Sequence, residues 1–293
     1  MHNIKKSLPL SDDKKQLNPS YSSIKRAIMS VNFKNGTINY EEYGSGDTLV
    51  LLHGFTESVK IWYEFKEVLS AKYRVILIDL PGHGKSSVLD DVHSMELMAD
   101  SVKTVLDHLN IEEAVMIGHS MGGYVSLAFC RKYNRMIKGL GLFHSTSLAD
   151  SDEVKQARDR SIKLIANNHS RFLLSFIPEL FAPETKDLYQ NEIQVLIDEA
   201  SQMEPKALVA AQKGMKNRTS TLDVLINAPF PVMFIAGQKD SKIPFENIWV
   251  QMALTETAYT LILRNAGHMG QIEAKIQTLD YVDSFTQACY KIT

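Results

Sequence analysis

One serine in this sequence has the surroundings of an enzymatic nucleophile. Ser120 lies in residues 118–123, which read Gly-His-Ser-Met-Gly-Gly and fit the pattern G-x-S-x-G. An alcohol at its ordinary pKa is a weak nucleophile, so a serine enzyme exposes the hydroxyl on a tight turn beside a base. The small neighbours permit such a turn, and we predict that Ser120 attacks a carbonyl carbon. The alternative is a glycine-rich packing turn that contains a serine by chance.

A histidine late in the chain is the candidate base. In enzymes with this motif the chain order is serine, then acid, then histidine. His268 follows the apolar run of residues 260–263, so a strand end would deliver its imidazole to the edge of a sheet. Three other histidines also lie in turns but precede the serine: His53, His83 and His119. We interpret those three as structural or positioning residues.

Asp240 is the candidate acid. It comes shortly after the apolar run of residues 232–236 and lies between Ser120 and His268 in the chain. A carboxylate there would accept the Nδ1 proton of His268, which fixes the tautomer and stabilises the imidazolium. The alternative is that Asp240 only caps a helix beginning near Pro244 or forms an Asx turn.

Attack on a carbonyl also needs hydrogen-bond donors aimed at the developing oxyanion. We predict that the backbone N–H of Met121, directly after the serine, is one donor. The second is expected from the N–H of Phe55, because Gly54 before it permits a close approach of the backbone.

The elements that must position these residues are short strands alternating with helices. Residues 30–33 and 37–43 flank an Asn-Gly turn signal at 34–36 and predict an antiparallel hairpin. The continuous apolar runs that follow are residues 48–52, 75–80, 114–117, 137–143, 232–236 and 260–263. Runs of this kind, mostly separated by helix-length amphipathic stretches, indicate a parallel doubly wound sheet buried on both faces.

The alternation stops between the fourth and fifth of these runs, where the spacing is helical. We therefore predict a helical lid at residues 146–228, a core formed by residues 29–145 and 229–293, and a flexible extension at residues 1–28. A dense apolar stripe in the lid favours packing on the core and an apolar acyl substrate: Phe172, Leu173, Leu174, Phe176, Ile177, Leu180 and Phe181. Arg218 either binds a substrate carboxylate or anchors the lid.

Composition excludes several classes of partner. The 293 residues are 44% hydrophobic and 23% charged with a formal net charge of -2, so no broad basic field would attract nucleic acid or an anionic membrane. No apolar run is long enough for a signal peptide or a membrane span, which favours a cytoplasmic location. The two cysteines, Cys130 and Cys289, are predicted to be free buried thiols. We expect neither a metal nor a cofactor, and the oligomeric state stays open.

Four segments in order resemble the signatures of the α/β-hydrolase fold superfamily. They are residues 51–55, 79–86, 118–123 and 267–268, and the resemblance extends over about residues 31–290. It implies an eight-stranded, mostly parallel sheet with helices on both faces and a helical lid after the sixth strand. It also implies a triad of Ser120, Asp240 and His268. Residues 79–86 match as a structural loop, so no catalytic role is assigned to Asp79.

The resemblance also narrows the chemistry. Haloalkane dehalogenases and epoxide hydrolases use an aspartate nucleophile, whereas this sequence is similar to small serine esterases, enol-lactonases and carbon–carbon bond hydrolases. We expect a cofactor-independent hydrolase that cleaves a carboxylic ester or related acyl compound through an acyl-enzyme. The alternatives are a carbon–carbon bond hydrolase or lyase that uses the same triad for proton transfer, and a non-catalytic binding protein. Relatives usually carry a proline soon after the residue equivalent to Glu273, which is absent here.

Overall fold

The computed structural model describes residues 29–291, so the extension predicted at residues 1–28 lies outside the described residues. The strands in this range are β1 (Met29–Phe33), β2 (Gly36–Tyr43), β3 (Thr48–Leu52), β4 (Arg74–Ile78), β5 (Ala114–His119), β6 (Ile137–Phe143), β7 (Val232–Gly237) and β8 (Ala258–Leu263). The α-helices are α1 (Tyr63–Leu69), α2 (Met95–His108), α3 (Met121–Tyr133), α4 (Asp152–Asn167), α5 (His169–Phe176), α6 (Gln190–Ser201), α7 (Pro205–Asn217), α8 (Leu222–Ile226), α9 (Phe245–Met252), α10 (Gly270–Glu273) and α11 (Lys275–Lys291). Short 3-10 segments lie at Val59–Trp62, Asn134–Met136, Pro178–Leu180 and Lys186–Tyr189.

The strands form a single eight-stranded sheet in the order β1-β2-β4-β3-β5-β6-β7-β8. β1 pairs antiparallel with β2 and β2 antiparallel with β4, while every other pairing is parallel. The predicted hairpin and parallel sheet are therefore confirmed. The hairpin turn differs in detail, because Gly36 already pairs with Phe33 and the positive φ of 51° falls on Lys34.

Both faces of the central strands β3 to β7 are almost entirely buried, whereas the edge strands β1 and β8 are partly exposed. A separate hydrophobic cluster covers each face. Along β5, Ala114 and Met116 belong to one cluster, whereas Val115 and Ile117 belong to the other. Because alternate side chains of a strand point to opposite faces, a doubly covered strand reads as a continuous apolar run. This burial explains why the runs were visible in the sequence.

Between β6 and β7 the chain forms the five helices α4 to α8, in the place where the sequence predicted a helical insertion. Most of the predicted apolar stripe is buried: Phe172, Leu173, Ile177, Leu180 and Phe181. Leu174 is an exception, with 59% of its surface exposed, because it lies on the outward side of α5. Its assignment to the packing stripe was wrong.

Arg218 anchors the end of this insertion. Its guanidinium donates to an Asp150 carboxylate oxygen at 2.6 Å and to the carbonyl of Leu148 at 3.0 Å, and it lies 3.9 Å from the centre of the Tyr124 ring. Only 7% of its side chain is exposed. Of the two roles open from the sequence, the contacts favour the anchor.

The predictions for the cysteines are also confirmed, since Cys130 and Cys289 are both buried and free. Over residues 29–291, no helix has the length and apolar character needed to cross a bilayer. The missing proline after Glu273 coincides with a break at Ala274, where α10 ends and α11 begins.

Candidate active site

Ser120 occupies the turn that joins β5 to α3, as the motif predicts. Its φ of 49° and ψ of -112° lie in a region that side-chain-bearing residues rarely adopt, at a cost of about 1–3 kcal/mol. Hydrogen bonds to the end of β6 and to the segment just after it hold the turn: Ser120 N donates to the Phe143 carbonyl at 2.9 Å, and Ser145 Oγ donates to the Ser120 carbonyl at 2.8 Å. The strain is thus maintained by the surrounding structure.

The glycines of the motif are required by space. A Cβ on Gly118 would lie 2.2 Å from the Gly122 carbonyl, and a Cβ on Gly122 would lie 2.6 Å from the Leu52 carbonyl. Both obstacles are backbone atoms that cannot move aside. The first turn of α3 therefore approaches β3 and β5 more closely than any side chain allows.

Asp240 and His268, predicted from two separate strand ends, meet in the structure. His268 Nδ1 lies 2.8 Å from Asp240 Oδ2, and both side chains are almost fully buried. The other oxygen, Oδ1, accepts the backbone N–H groups of Lys242 and Ile243 at 2.8 and 2.9 Å. Although burial opposes ionisation, the two histidines beside Asp240 and these hydrogen bonds hold its pKa well below the usual range, so the carboxylate is ionised.

The second histidine on this carboxylate is His144, which sequence reasoning missed. Its Nδ1 lies 3.1 Å from the same Oδ2 atom, and its backbone has a φ of 47° directly after β6. Burial lowers the pKa of His144 to about 4, and the Asp240 carboxylate opposes this shift only in part. His144 is therefore neutral at pH 7. Its position just past a strand end is the signal that could have found it.

One group of side chains in residues 29–291 has its ligand atoms close enough to hold a metal ion, all within 4.8 Å of one another: His144, Asp240 and His268. Both imidazoles direct Nδ1 at one carboxylate oxygen, which is the geometry of N–H donors sharing an acceptor. Hydrogen bonding accounts for the cluster without an ion.

The two predicted oxyanion donors are the backbone N–H groups of Phe55 and Met121. Neither donates a hydrogen bond to an acceptor in the described part of the chain. Met121 N–H is one of the free donors at the start of α3, and Phe55 N–H lies in the loop after β3. Buried backbone donors are normally paired, so these two unpaired N–H groups are available for a ligand oxygen.

The structure does not join Ser120 to His268 by a hydrogen bond. Ser120 Oγ and His268 Nε2 have no partner among the described side chains and backbone groups. His119, which directly precedes Ser120, has its ring centre 5.0 Å from that of His268. A serine hydroxyl rotates freely, and hydrogen bonds of this kind commonly form or tighten only with substrate.

Aromatic rings lie beside the Phe55 loop. Phe172 and Phe176 of α5 stack on each other at 5.1 Å and contact the Phe55 ring edge-on at 6.2 and 5.8 Å. The ammonium of Lys242 lies 5.3 Å from the centre of the Phe176 ring. No carboxylate of residues 29–291 lies within 4 Å of this ammonium, and burial lowers its pKa.

The three histidines that the sequence placed in turns all make buried contacts, although His119 is the last residue of β5. His53 receives the Leu80 N–H at Nε2 and donates from Nδ1 to the Gly54 carbonyl, and Nδ1 of His83 is 3.1 Å from the Pro81 carbonyl. His119 forms a buried pair with Glu57, a residue that sequence reasoning also missed.

Residues 47–275 match the family model described as the alpha/beta hydrolase fold. Since the match covers most of the chain, this protein belongs to the α/β-hydrolase fold family, and its class is that of a hydrolase.

Individual relatives differ in their named activities. The chain is 30% identical over 246 residues to the dihydrolipoyllysine-residue acetyltransferase component of the acetoin cleaving system of Pseudomonas putida; the alignment covers 81% of this chain but 63% of that protein, less than two thirds of its length. It is 30% identical over 225 residues to a 2-hydroxy-6-oxononadienedioate/2-hydroxy-6-oxononatrienedioate hydrolase of Paraburkholderia phymatum, covering 71% of this chain and 76% of that one. Among solved structures, a malate-bound thermophilic esterase from Thermogutta terrifontis superposes with a TM-score of 0.83 at 28% identity, covering 90% of this chain and 99% of the esterase.

Proposed function

We propose that this protein is a cofactor-independent serine hydrolase that cleaves a carboxylic ester or a related acyl compound through an acyl-enzyme. The observation that carries the proposal is the buried 2.8 Å hydrogen bond between His268 Nδ1 and Asp240. The His268 carbonyl contacts His119, the residue directly before a serine held at a φ of 49°. A serine in this strained turn is exposed for attack, and an imidazole engaged through Nδ1 keeps Nε2 for proton transfer.

In the proposed reaction, His268 Nε2 takes the proton of Ser120 Oγ as that oxygen attacks the carbonyl carbon. The N–H groups of Phe55 and Met121 stabilise the resulting oxyanion. The ionised Asp240 stabilises the imidazolium, which then protonates the leaving alcohol. Water, deprotonated by the same imidazole, releases the acid and restores Ser120.

The helical insertion supports an apolar acyl group as substrate. Phe172 and Phe176 contact the ring of Phe55, the residue whose N–H is a proposed oxyanion donor. Sites for small molecules are lined mainly by apolar and aromatic groups with few polar ones. We infer that residues 146–228 act as a lid and that this aromatic cluster lies against the acyl chain.

A carbon–carbon bond hydrolase is the second candidate, and two observations favour it. The relative from Paraburkholderia phymatum is named for hydrolysis of a dienedioate, a dicarboxylate. Lys242 would suit a substrate carboxylate, because its ammonium lies beside Phe176 without a carboxylate within 4 Å in the described structure. On this alternative, the same triad moves protons on a carbon acid.

A panel of nitrophenyl esters separates the two candidates. Esters of graded acyl length, neutral or with a terminal carboxylate, are mixed rapidly with the enzyme, and a burst of nitrophenol equal to the enzyme concentration indicates an acyl-enzyme. A clear burst with neutral acyl chains supports the esterase. Slow turnover of every ester, together with cleavage of a dienedioate, would replace it with the carbon–carbon hydrolase.

The nucleophile is tested with Ser120→Ala. We expect the burst to disappear and kcat to fall by about 10⁴-fold or more, because no other hydroxyl occupies the turn. Ser126→Ala is the matched control. It removes a buried hydroxyl of α3, the helix that follows Ser120, and this hydroxyl donates to the Gly122 carbonyl at 2.8 Å. This control is expected to cost about 1 kcal/mol of stability and to retain the burst.

A further inference from the structure

Glu57 and His119 form a buried pair that the proposed chemistry does not use. The carboxylate of Glu57 lies 3.0 Å from His119 Nδ1, and 2% and 1% of the two side chains are exposed. Glu57 also accepts the backbone N–H of Gly54 at 2.6 Å, and His119 Nε2 lies 2.9 Å from the backbone carbonyl of His268.

These contacts determine the protonation of His119. Nε2 faces a carbonyl oxygen, which can only accept, so Nε2 carries a hydrogen, and Nδ1 faces the carboxyl group of Glu57. A neutral imidazole would have a bare Nδ1 and would need a proton on Glu57. The backbone N–H of Gly54, which also donates to Glu57, favours the ionised carboxylate, and an imidazolium then donates from both nitrogens. Glu57 and His119 therefore form a carboxylate–imidazolium ion pair.

The pair joins three loops of the proposed active site. Gly54 immediately precedes Phe55, His119 immediately precedes Ser120, and the carbonyl that His119 contacts belongs to His268 itself. We propose that Glu57 and His119 are positioning residues that hold the oxyanion loop, the nucleophile turn and the base in register. This inference rests on the proposed serine-hydrolase function. Misplacement of a reacting group by about 1 Å typically costs about 100-fold in rate. A pair of residues that holds these loops in place therefore affects catalysis without touching substrate.

The charges around His119 favour the ion pair. Burial opposes protonation, yet Glu57, the His268 carbonyl and the more distant Asp240 together raise the pKa of His119. The pKa of Glu57 is lowered, against its burial, by His119, the Gly54 N–H and His53. The other titratable side chains facing the ring are His268 and His144, with centres at 5.0 and 6.2 Å, and the neutral amide of Gln271 lies 3.5 Å from Nδ1.

The sign of the pH effect follows from these shifts. The ion pair between Glu57 and His119 forms above the lowered pKa of Glu57. It is lost when the pH rises through the raised pKa of His119. We expect kcat of the wild type to fall on an alkaline limb as His119 loses its proton, whereas KM changes little.

Glu57→Gln tests the proposal, since it keeps the shape and removes the charge. We expect kcat for a nitrophenyl ester to fall about 10- to 100-fold, KM to change less than about threefold, and the alkaline limb to move to lower pH. The rate of covalent labelling by a fluorophosphonate should fall by the same factor. Adding His119→Gln to Glu57→Gln should cost little more, because the two residues act as one unit.

Asp150→Asn is the matched control, because Asp150 is another buried carboxylate, paired with Arg158 and Arg218 in the insertion. It should lower Tm without moving the alkaline limb. The positioning role would be overturned if the alkaline limb of Glu57→Gln did not move. It would also be overturned if, for the same loss of Tm, Glu57→Gln lost no more kcat than Asp150→Asn. Failure of the wild type to react with fluorophosphonate would instead overturn the proposed function itself.

Discussion

Two buried acid–imidazole pairs lie side by side in this molecule and differ in how the histidine is used. In the first, His268 is bound through Nδ1 to Asp240, and its Nε2 has no partner in residues 29–291. In the second, His119 contacts Glu57 through Nδ1 and the His268 carbonyl through Nε2. A free nitrogen can exchange a proton with a substrate, whereas a nitrogen already donating to a carbonyl cannot.

Proximity to the serine along the chain does not select the proposed base. His119 is the sequence neighbour of Ser120, but both its nitrogens face acceptors, the Glu57 carboxylate and the His268 carbonyl. His268 comes from a remote loop and retains an available nitrogen. The number of satisfied nitrogens, more than distance along the chain, separates a candidate base from a positioning residue.

Exchanging the two histidines for glutamine gives the largest contrast. His268→Gln should lower kcat by about 10⁴-fold or more, because the proposed base is lost. His119→Gln should lower it only about 10- to 100-fold, because the base stays and only its placement suffers. Steady-state rates on one nitrophenyl ester measure both. Equal losses would remove the distinction between the two pairs.

The next largest effect is expected from Asp240→Asn. An asparagine amide directed at His268 favours the wrong tautomer, and kcat should fall about 10³- to 10⁴-fold with a nearly unchanged fold. Circular dichroism checks the fold, and the labelling rate with fluorophosphonate checks the nucleophile. A loss below tenfold would reduce Asp240 to the cap or turn residue that the sequence also allowed.

The smallest effect concerns His144, the second donor to Asp240. His144→Gln should lower kcat by less than about tenfold, since His268 keeps its own hydrogen bond. The pH dependence of stability should change more clearly. The folded pKa of about 4 lies below the usual value near 6.5, so the wild type loses up to about 1.4 kcal/mol per pH unit as the pH falls between them.

Urea unfolding at several pH values measures this effect. His144→Gln should reduce the slope of the unfolding free energy against pH between pH 4 and 6.5. The reduction should be up to about 1.4 kcal/mol per pH unit, which corresponds to one bound proton. An unchanged slope would mean that His144 is already protonated beside Asp240, and the cluster would then carry a charge that the structure does not support.

Strand ends explain how much of the fold and the site could be predicted. Asp240 and His268 each follow an apolar run, and parallel strands bring such residues to one edge of the sheet, so their meeting was predictable. His144 obeys the same rule but lacks a motif. Glu57 was hidden because its role depends on a long-range contact with His119 that no local pattern encodes.

The insertion was predicted less well for a related reason. Helical spacing revealed its existence, but the face that each residue presents depends on tertiary packing. Leu174 was therefore placed in the buried stripe although it is exposed, and Arg218 could be assigned to neither of its two roles before its contact with Asp150 was known.

Peptide mapping after fluorophosphonate treatment tests the central claim most directly. The wild type is treated at pH 7, digested and analysed by mass spectrometry, with His268→Gln and His119→Gln treated in parallel. We predict one covalent adduct on Ser120 in the wild type, a slower reaction at the same residue in His119→Gln, and almost none in His268→Gln. An adduct on another residue, or undiminished labelling of His268→Gln, would contradict the assignment of Ser120 as nucleophile and His268 as its base.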